Sequence, residues 1–335
     1  MAVLAAVVAT GLGAVIVARR TPQVRWVRRH VRQVGEILLP LRTQVWLRVI
    51  KNQGRLPRLR SPETFSDLVA RNLLGRPSPL MVSTTDKVAV RPWVAALVGA
   101  EILPTRFLSV ASFDDIDLAA LPDAVVLKAS HGSGMTLVVT GQSPATKTVV
   151  WDERVVVIEG RLRDVDPTTL RAITEAWLAT DYSRTLGERQ YATIPRRILA
   201  EEYLGSPDDP LLEYGIYCVK GNVVYAQVCL GQELYRAVDR SYRPLSICGI
   251  TGTPPTGELP PEPRYFSEMV RIAETLSAPF DCVRVDLHHT DGRMIFSEVT
   301  HTTLAGRSSF DPPEFSDVFG RFWRGDHTIP ETFYR

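Results

Sequence analysis

The 335-residue sequence lacks the patterns that assign many chains to a class at once. None of its four cysteines forms a Cys-x-x-Cys pair, so the sequence gives no sign of a zinc ribbon, and a disulfide framework is not expected at this length. The formal net charge is only +2, which provides no strong field for nucleic acid. Internal repeats are also missing. What remains is a globular composition, long enough for two or three domains, and we expect no nucleic-acid partner.

The N-terminus differs from everything that follows it. Residues 2–18 carry no charge, and six arginines lie between positions 19 and 32. The run is near the lower limit of about 17 residues for crossing a bilayer, and arginines on its C-terminal side favour a cytoplasmic body. No basic residue precedes it, which disfavours a cleaved secretory signal. We expect an anchor helix in contact with the membrane over residues 1–20, with the protein at the cytoplasmic face of the cell membrane. A disordered leader on a cytoplasmic protein is the alternative.

Strand-like and helix-like segments alternate irregularly through the rest of the chain. A regular βαβα rhythm would indicate a doubly wound sheet, and its absence favours an α+β fold built from separate lobes. Apolar alternation predicts the strands, and a period of 3.6 residues predicts the helices. The expected strands are 124–128, 136–140, 197–204, 214–219 and 223–230, and the clearest expected helices are 166–179 and 266–276.

A glycine-bearing loop follows the first of these strands. Lys128 ends the strand, and His131, Gly132, Ser133 and Gly134 come directly after it. Backbone N–H groups next to glycine can approach phosphate oxygens closely, and lysine supplies a point charge. The spacing is not that of a Walker loop, and a strand follows where that motif needs a helix. An ordinary hairpin turn is the competing interpretation.

The segment 283–300 predicts two strands around the turn Asp291-Gly292, each with one carboxylate near its middle. A two-residue loop would place Asp286 and Glu298 on opposite faces. A three-residue loop would place them on one face, diagonal to each other, with Arg284 opposite Glu298. The second arrangement would suit magnesium with nucleotide phosphates, because it puts two carboxylates on one face. Taken alone, the pattern is more often an ordinary surface hairpin, and a transition-metal site made of His288, His289, Glu298 and His301 is a further alternative. The magnesium site is favoured over the latter, since adjacent strand residues point to opposite faces.

The order of these segments resembles the ATP-grasp superfamily, and within it the TupA-like branch associated with surface-polysaccharide biosynthesis. The likeness covers about residues 46–323. It rests on the following segments taken in order: Ser61-Pro-Glu-Thr-Phe65, Thr85-Asp-Lys-Val-Ala-Val-Arg91, Phe113-Asp-Asp-Ile-Asp117, Val126-Leu-Lys-Ala-Ser-His-Gly-Ser-Gly134, Trp177-Leu-Ala-Thr-Asp-Tyr182, Glu188-Arg-Gln-Tyr191, Glu201-Glu-Tyr-Leu204, Val283-Arg-Val-Asp286 and Glu298-Val-Thr300.

The resemblance implies an ATP-grasp fold, in which two α+β lobes clamp ATP. The alternation of arginines with apolar residues itself predicts a basic juxtamembrane helical linker over residues 21–60, and the resemblance implies a smaller N-terminal subdomain over 61–122. A lobe with the glycine-rich flap would occupy 123–204, and a lobe with the magnesium-binding hairpin would occupy 205–335.

It also implies roles for individual residues. Lys87 and Lys128 would contact ATP phosphates under a flap formed by His131, Gly132, Ser133 and Gly134. The segment Glu201, Glu202, Tyr203 and Leu204 would flank adenine, and Glu213 would reach the ribose. Asp286, Glu298 and Thr300 would hold Mg²⁺, while Arg284, with Lys128, would stabilise the transferred phosphoryl group.

The sequence departs from the family pattern near the substrate end. Gly215 stands where relatives often carry lysine, and Thr300 stands where an asparagine is frequent. The expected function is an ATP-dependent carboxylate–amine ligase acting through an acyl phosphate, with a glycan precursor as a possible substrate. Two alternatives stay open. Asp164-Val-Asp166 has the form of a metal and nucleotide-sugar motif in glycosyltransferases, and the departures at Gly215 and Thr300 would also fit a non-catalytic nucleotide-binding module.

Overall fold

The structure is a computed structural model that describes residues 39–142, 147–151, 155–205, 211–230, 234–248, 255–290, 292–307 and 309–334. The predicted anchor helix, residues 1–20, lies outside these residues and stays a prediction. Among the described residues, no helix has the length and apolar character needed to cross a bilayer. Contacts divide the chain into two units, Met1–Val45 and Trp46–Arg335. Every predicted site residue belongs to the second unit.

Eight α-helices occur among the described residues. Helix α2 begins with a capping box, in which Thr64 accepts from the backbone of Asp67 and Asp67 accepts from the backbone of Thr64. Helix α5 begins with Asp166 as N-cap and Pro167 in its first turn, as the sequence predicts. The helices are α1 Leu41–Gln53, α2 Phe65–Leu74, α3 Pro79–Thr85, α4 Val90–Val98, α5 Pro167–Ala179, α6 Tyr182–Leu186, α7 Phe266–Ser277 and α8 Ser316–Trp323.

Two six-stranded sheets form the framework of the second unit. The first sheet has the order β1-β6-β2-β3-β5-β4, in which only the β3–β5 pair is parallel, and the second has the order β10-β9-β8-β7-β11-β12, antiparallel throughout. This arrangement confirms the α+β class. The strands are β1 Arg106–Val110, β2 Ala124–Ala129, β3 Thr136–Thr140, β4 Lys147–Trp151, β5 Val155–Glu159, β6 Ile198–Glu202, β7 Leu212–Val219, β8 Asn222–Leu230, β9 Leu234–Val238, β10 Pro244–Leu245, β11 Val283–Thr290 and β12 Arg293–Thr300.

Helices pack against each sheet, and each sheet has its own core. In the first sheet, Leu127 and Val139 are fully buried together with Leu170 of α5. In the second, Ile216 and Val285 lie in one cluster with Ala273 of α7 and residues of α4. Because strand residues alternate between faces, the residues next to Ile216 and Val285 in sequence point to the other face of the second sheet. That face carries Gly215, Arg284 and Asp286.

The hairpin β11–β12 has a different register from the one the sequence analysis predicts. Thr290 pairs with Arg293, so only two positions separate the strands, and a bulge at Ser297 follows between the pairs Leu287–Phe296 and Asp286–Glu298. The bulge compensates for the short loop and puts Asp286 directly opposite Glu298, on one face. The prediction of a shared face is confirmed, whereas the three-residue loop and the diagonal placement are wrong. The predicted pairing of Arg284 with Glu298 is also wrong, because Arg284 lies opposite Thr300.

A hydrogen bond to a segment outside the hairpin adjoins the bulge. The backbone N–H of Phe296 donates to the carbonyl of Ile102, over 2.6 Å, in the segment that follows α4. Strand β12 is the edge of its sheet, so its backbone is free to make this bond. The extra residue at Ser297 accommodates the change of direction, and a prediction from the hairpin sequence alone could not include it.

Candidate active site

Two carboxylates form the centre of the site, on the face of the second sheet opposite α7. Asp286 of β11 and Glu298 of β12 are cross-strand partners, and Asp286 is almost fully buried. The Thr300 hydroxyl lies within hydrogen-bonding distance of both, 3.3 Å from Asp286 Oδ2 and 3.1 Å from Glu298 Oε1. Three of the predicted metal-binding residues therefore meet at one point, and all three offer the oxygen atoms that magnesium prefers.

Arg284 holds this acidic group together. Its Nε donates to Asp286 Oδ1 over 2.6 Å and its Nη2 donates to Asp286 Oδ2 over 2.7 Å, a two-pronged pair. The same Nη2 lies 3.3 Å from the Thr300 hydroxyl and 3.7 Å from Glu298 Oε1. The guanidinium also lies 5.8 Å from the ring centre of Tyr217. One cation is thus shared by two carboxylates.

The two carboxylates respond to their surroundings in opposite ways. Burial raises the pKa of Asp286 above its ordinary value, with the negative charges of Glu213 and Glu298 adding to it, although Arg284 acts against the shift. Burial would also raise the pKa of Glu298, but the positive charges of Lys87, Arg284 and Lys128 lower it overall. Glu298 is therefore the more easily ionised of the two, while Asp286 loses its proton at higher pH or when a cation binds.

Gly215 makes this geometry possible. It is the partner of Asp286 on β7, and a Cβ atom at this position would lie 3.1 Å from Arg284 Cδ and 3.4 Å from Asp286 Oδ1. Any side chain here would press on the stem of Arg284. The departure at position 215 is therefore matched by an arginine that occupies the space above it.

The two predicted phosphate-binding lysines approach the same face. Lys87 Nζ lies 3.6 Å from Glu298 Oε2 and donates to the carbonyl of Gly132 over 2.7 Å, so it links the hairpin to the glycine-bearing loop. Lys128 donates to Glu201 Oε2 over 3.0 Å. The positive charges of both lysines lower the pKa of Glu298 against the effect of its burial.

The loop of residues 131–134 offers backbone donors. None of its four backbone N–H groups donates to another residue that the structure describes. Gly134 has φ of 74°, and a Cβ at Gly132 would lie 3.0 Å from side-chain atoms of both Met135 and Tyr182, so both positions favour glycine. The imidazole of His131 is buried, and its Nε2 lies 3.0 Å from the carbonyl of Trp177. The ring therefore packs beneath the loop. Burial lowers the pKa of His131.

The segment predicted to flank a nucleotide base is partly engaged within the protein. The Glu202 carboxylate accepts from the backbone N–H of Thr105 over 2.9 Å and pairs with Arg293 over 3.2 Å, which ties β6 to the hairpin. The carbonyl of Leu204 accepts from the Thr290 hydroxyl over 3.2 Å. Tyr203 is half-buried beside Gly205. Any contact with a base would therefore use the backbone groups that remain.

Glu213 is the second residue of β7 and pairs with His288 across the sheet. Its charge raises the pKa of Asp286 and opposes the lowering of the His288 pKa, which burial causes. The pair Glu213–His288 lies two residues along the strands from the pair Gly215–Asp286, so Glu213 lies on the same face as the carboxylates.

Three further residues belong to the site, although the sequence analysis gave them no role. Arg91 lies 3.6 Å from Glu201 Oε1, so Glu201 receives two cations, Arg91 and Lys128. Tyr191 lies near enough to Glu298 for that carboxylate to contribute, after burial and Glu188, to the raised pKa of the tyrosine. Glu188 itself accepts from the Thr302 hydroxyl, just past β12. Arg91, Glu188 and Tyr191 all stand in segments that carry the family resemblance, which was the available signal.

The structure removes the two competing sites. His288 and His289 are successive residues of β11, and His301 is buried against Phe280 with its Nε2 2.9 Å from the Thr84 hydroxyl. Among the described residues, no three His, Cys, Asp or Glu side chains are grouped in a way that could hold a metal ion. This result excludes the histidine site, and it leaves the Asp286–Glu298 pair as the kind of two-carboxylate site that magnesium shares with phosphates and water.

The Asp-x-Asp pattern is explained by local structure. The Asp166 carboxylate accepts from the backbone of Thr168 over 3.0 Å at the start of α5, and Asp164 pairs with Arg161 over 2.8 Å. Both carboxylates are occupied close to the chain segment in which they stand. The pattern therefore lends no support to a nucleotide-sugar site.

Comparison with known proteins gives one family and several similar folds. A family model described as TupA-like ATPgrasp matches residues 66–323. No curated protein matches the chain significantly. An L-amino acid ligase from Bacillus licheniformis is 16% identical with a TM-score of 0.38, covering 70% of this chain and 47% of that one. The D-alanine–D-alanine ligase from Bacillus anthracis, complexed with ATP, is 15% identical with a TM-score of 0.34, covering 66% and 57%.

A RiPP-associated ATP-grasp ligase from Chryseobacterium gregarium, in complex with ADP and a leader and core peptide, is 12% identical with a TM-score of 0.36. The match covers 78% of this chain and 65% of that enzyme. This chain spans about half the length of the Bacillus licheniformis enzyme.

Proposed function

Because the chain belongs to the TupA-like ATP-grasp family, we propose that it is an ATP-dependent carboxylate–amine ligase. The observation that carries this proposal is the direct pairing of Asp286 with Glu298, on a face that Lys87 and Arg284 also reach. Two carboxylates and two cations at one point suit a cation-bridged triphosphate better than they suit a buried structural ion pair.

Magnesium fits the residues that are present. Asp286 and Glu298 supply two carboxylates on one face, and the Thr300 hydroxyl adjoins both. A magnesium ion held there would neutralise charge on the ATP phosphates. Thr300 is a neutral ligand, so its presence in place of asparagine keeps the charge of the site unchanged.

The phosphates would lie between the hairpin and the loop of residues 131–134. The four backbone N–H groups of this loop, which donate to no residue that the structure describes, would provide hydrogen bonds, and Lys87 already bridges that loop and Glu298. Lys128 would exchange its contact with Glu201 for a phosphate oxygen, and Arg91 would keep Glu201 paired when it does. Adenine would be flanked by Glu201, Glu202, Tyr203 and Leu204, and Glu213 would accept from the ribose hydroxyls.

The chemistry would run in two steps. An oxygen of the substrate carboxylate attacks the γ-phosphorus of ATP, the bond to the β,γ-bridging oxygen breaks, and ADP leaves. An amine nitrogen then attacks the acyl carbon, phosphate leaves with the electron pair of its C–O bond, and the amine loses a proton to give the amide. Arg284 would offset the charge on the phosphoryl group in transfer, and the loop would keep water from the acyl phosphate.

The proposal also covers the substrates of this reaction and its place in the cell. The family points to cell-surface polysaccharide or polyamino-acid biosynthesis, which would join an amine or amino acid to a carboxylate of a glycan precursor. The uncharged run at residues 2–18, followed by arginines, supports a place at the cytoplasmic face of the membrane. The Asp-x-Asp pattern no longer supports a glycosyltransferase, because Asp166 caps helix α5 and Asp164 forms an ion pair with Arg161.

The test is ADP release screened across pairs of carboxylates and amines, with hydroxylamine added to trap an acyl phosphate as a hydroxamate. We expect ADP only when a carboxylate is present, amide when an amine is added, and no turnover in Lys128→Ala or Asp286→Asn. ATP binding without turnover for any pair would instead support the non-catalytic module. Full turnover by either variant would remove the site from the mechanism.

A further inference from the structure

A second cavity lies on the other side of β12 from the carboxylates. Its volume is about 570 Å³, within the range of about 300–1,000 Å³ that is usual for small-molecule sites. Its wall comes from the C-terminal end of α2, from the connection between α2 and α3, and from the loop that precedes β11. Arg60, Arg71 and Arg76 line it together with Ser78, Asp281 and His301.

The charge of this cavity is positive and only partly balanced. Arg71 is held in place, because its Nε donates to Asp281 over 2.7 Å and its Nη1 donates to the carbonyl of Leu59 over 2.8 Å. Arg60 and Arg76 are exposed, and neither forms a hydrogen bond or an ion pair with another residue that the structure describes. Arg60 and Arg76 therefore line the cavity with no acidic partner in the part of the chain that the structure describes.

The floor of the cavity adds no negative charge. His301 is buried, its ring contacts Phe280 edge-on at 4.6 Å, and its Nε2 lies 2.9 Å from the Thr84 hydroxyl. Asn72 donates to the carbonyls of Cys282 and His301, over 2.9 and 2.8 Å, and so fixes the floor to the strand ends.

The cavity is separate from the proposed ATP site. Thr300 turns toward Asp286 and Glu298, and the next residue, His301, turns toward Thr84 and Phe280. The backbone of β12 therefore stands between the cavity and the carboxylates, and none of the groups assigned to ATP lines the cavity. A ligand in it would be bound without taking part in phosphoryl transfer.

We propose that this cavity, the arginine pocket, binds a small polyanion with carboxylate or phosphate groups, held by Arg60 and Arg76 with Arg71 behind them. Guanidinium groups match the planar oxygen pairs of carboxylates and phosphates and hold them with two parallel hydrogen bonds. An unpaired exposed arginine on an open surface would be ordinary. Two of them, gathered with a third around one cavity of ligand size, make a binding site.

The experiment is calorimetric titration of the full chain with citrate and, separately, with inorganic pyrophosphate, in magnesium-free buffer because both probes chelate the metal. At least one probe should bind the wild type, and its affinity should fall by about tenfold or more in Arg60→Ala/Arg76→Ala, since each charge-assisted hydrogen bond is worth about that much. Binding of citrate alone would indicate a carboxylate ligand, and binding of pyrophosphate alone would indicate a phosphate.

Two controls make the result specific. Arg271→Ala removes another exposed arginine, on α7, whose partner is Glu268, and it should bind both probes as the wild type does. The charge-preserving Arg60→Lys/Arg76→Lys should keep part of the affinity. The proposal is overturned if neither probe binds the wild type, or if the double alanine variant binds as tightly as the wild type while melting at the same temperature. Neither measurement depends on ATP turnover, so failure here is distinct from failure of the ligase proposal.

Discussion

The role of Arg284 as the shared cation of the acidic pair can be tested by removing it. Arg284→Leu takes away two short hydrogen bonds to Asp286, of 2.6 and 2.7 Å, and leaves that carboxylate 3% exposed beside Glu298. Removing one partner of a buried ion pair typically costs about 3–5 kcal/mol. Arg284 is 20% exposed and Asp286 can take up a proton, so we expect a smaller loss of about 2–4 kcal/mol in the free energy of unfolding.

Urea denaturation near pH 7 measures this loss, and the same hairpin supplies the control. Arg293→Leu removes a half-exposed arginine that pairs with Glu202 over 3.2 Å, and it should cost less than about 1 kcal/mol. Adding Asp286→Asn to Arg284→Leu should restore more than half of the lost stability, because the uncompensated charge is then gone. The reasoning is refuted if Arg284→Leu costs no more than Arg293→Leu, or if the second substitution lowers stability further.

Three other predictions follow from the same geometry. Because the folded-state pKa of Asp286 lies above its ordinary value of 3.8, the folded chain holds that proton longer, and stability should fall as pH rises from there toward neutrality; Asp286→Asn should flatten this decline in urea denaturation from about pH 4 to about pH 8. Gly215→Lys should cost about 1–3 kcal/mol by crowding Arg284, in the same assay, and Gly215→Ala should cost less. Lys87→Met should weaken ATP binding by about tenfold or more in calorimetry, whereas the exposed Lys220→Met should not change it.

The strand pattern of the hairpin could be predicted from sequence, but its register could not. Alternation of Val283, Val285 and Leu287 with polar residues gave β11, and the turn residues gave the reversal. The bulge at Ser297 adjoins the bond from Phe296 to Ile102, which lies nearly two hundred residues earlier in the chain. The alternation of residues along a strand gives no information about such a partner. The prediction that Asp286 and Glu298 share a face was therefore correct, although the loop assumed for it was wrong.

The start of α4 shows a second limit of this kind. The apolar spacing of Val90, Val94 and Leu97 predicts a helix that already includes Lys87. In the structure, Asp86 caps the end of α3 and accepts from the backbone of Val88, so α4 begins only at Val90. This turn directs Lys87 to Gly132 and Glu298. The helical spacing of apolar residues does not reveal this turn, because Val90 and Val94 face the core of the second sheet whether or not Lys87 is helical.

Side-chain direction was the least predictable property. The sequence grouped His131 with Gly132 and Ser133, but the space beneath α5 buries its ring and leaves only the backbone exposed to the loop. The pairing of Glu201 with both Arg91 and Lys128 likewise requires that β6, β2 and α4 be packed together first. Such contacts depend on tertiary structure, and only the family resemblance indicated which segments would meet.

The central claim is that Asp286 and Glu298 hold magnesium for ATP, and calorimetric titration of ATP with and without magnesium tests it most directly. Wild-type protein should bind ATP much more tightly with magnesium, and that gain should disappear in Asp286→Asn/Glu298→Gln, whose fold is checked by circular dichroism. Equal ATP affinity with and without magnesium in the wild type, or an undiminished magnesium gain in the variant, would contradict the account.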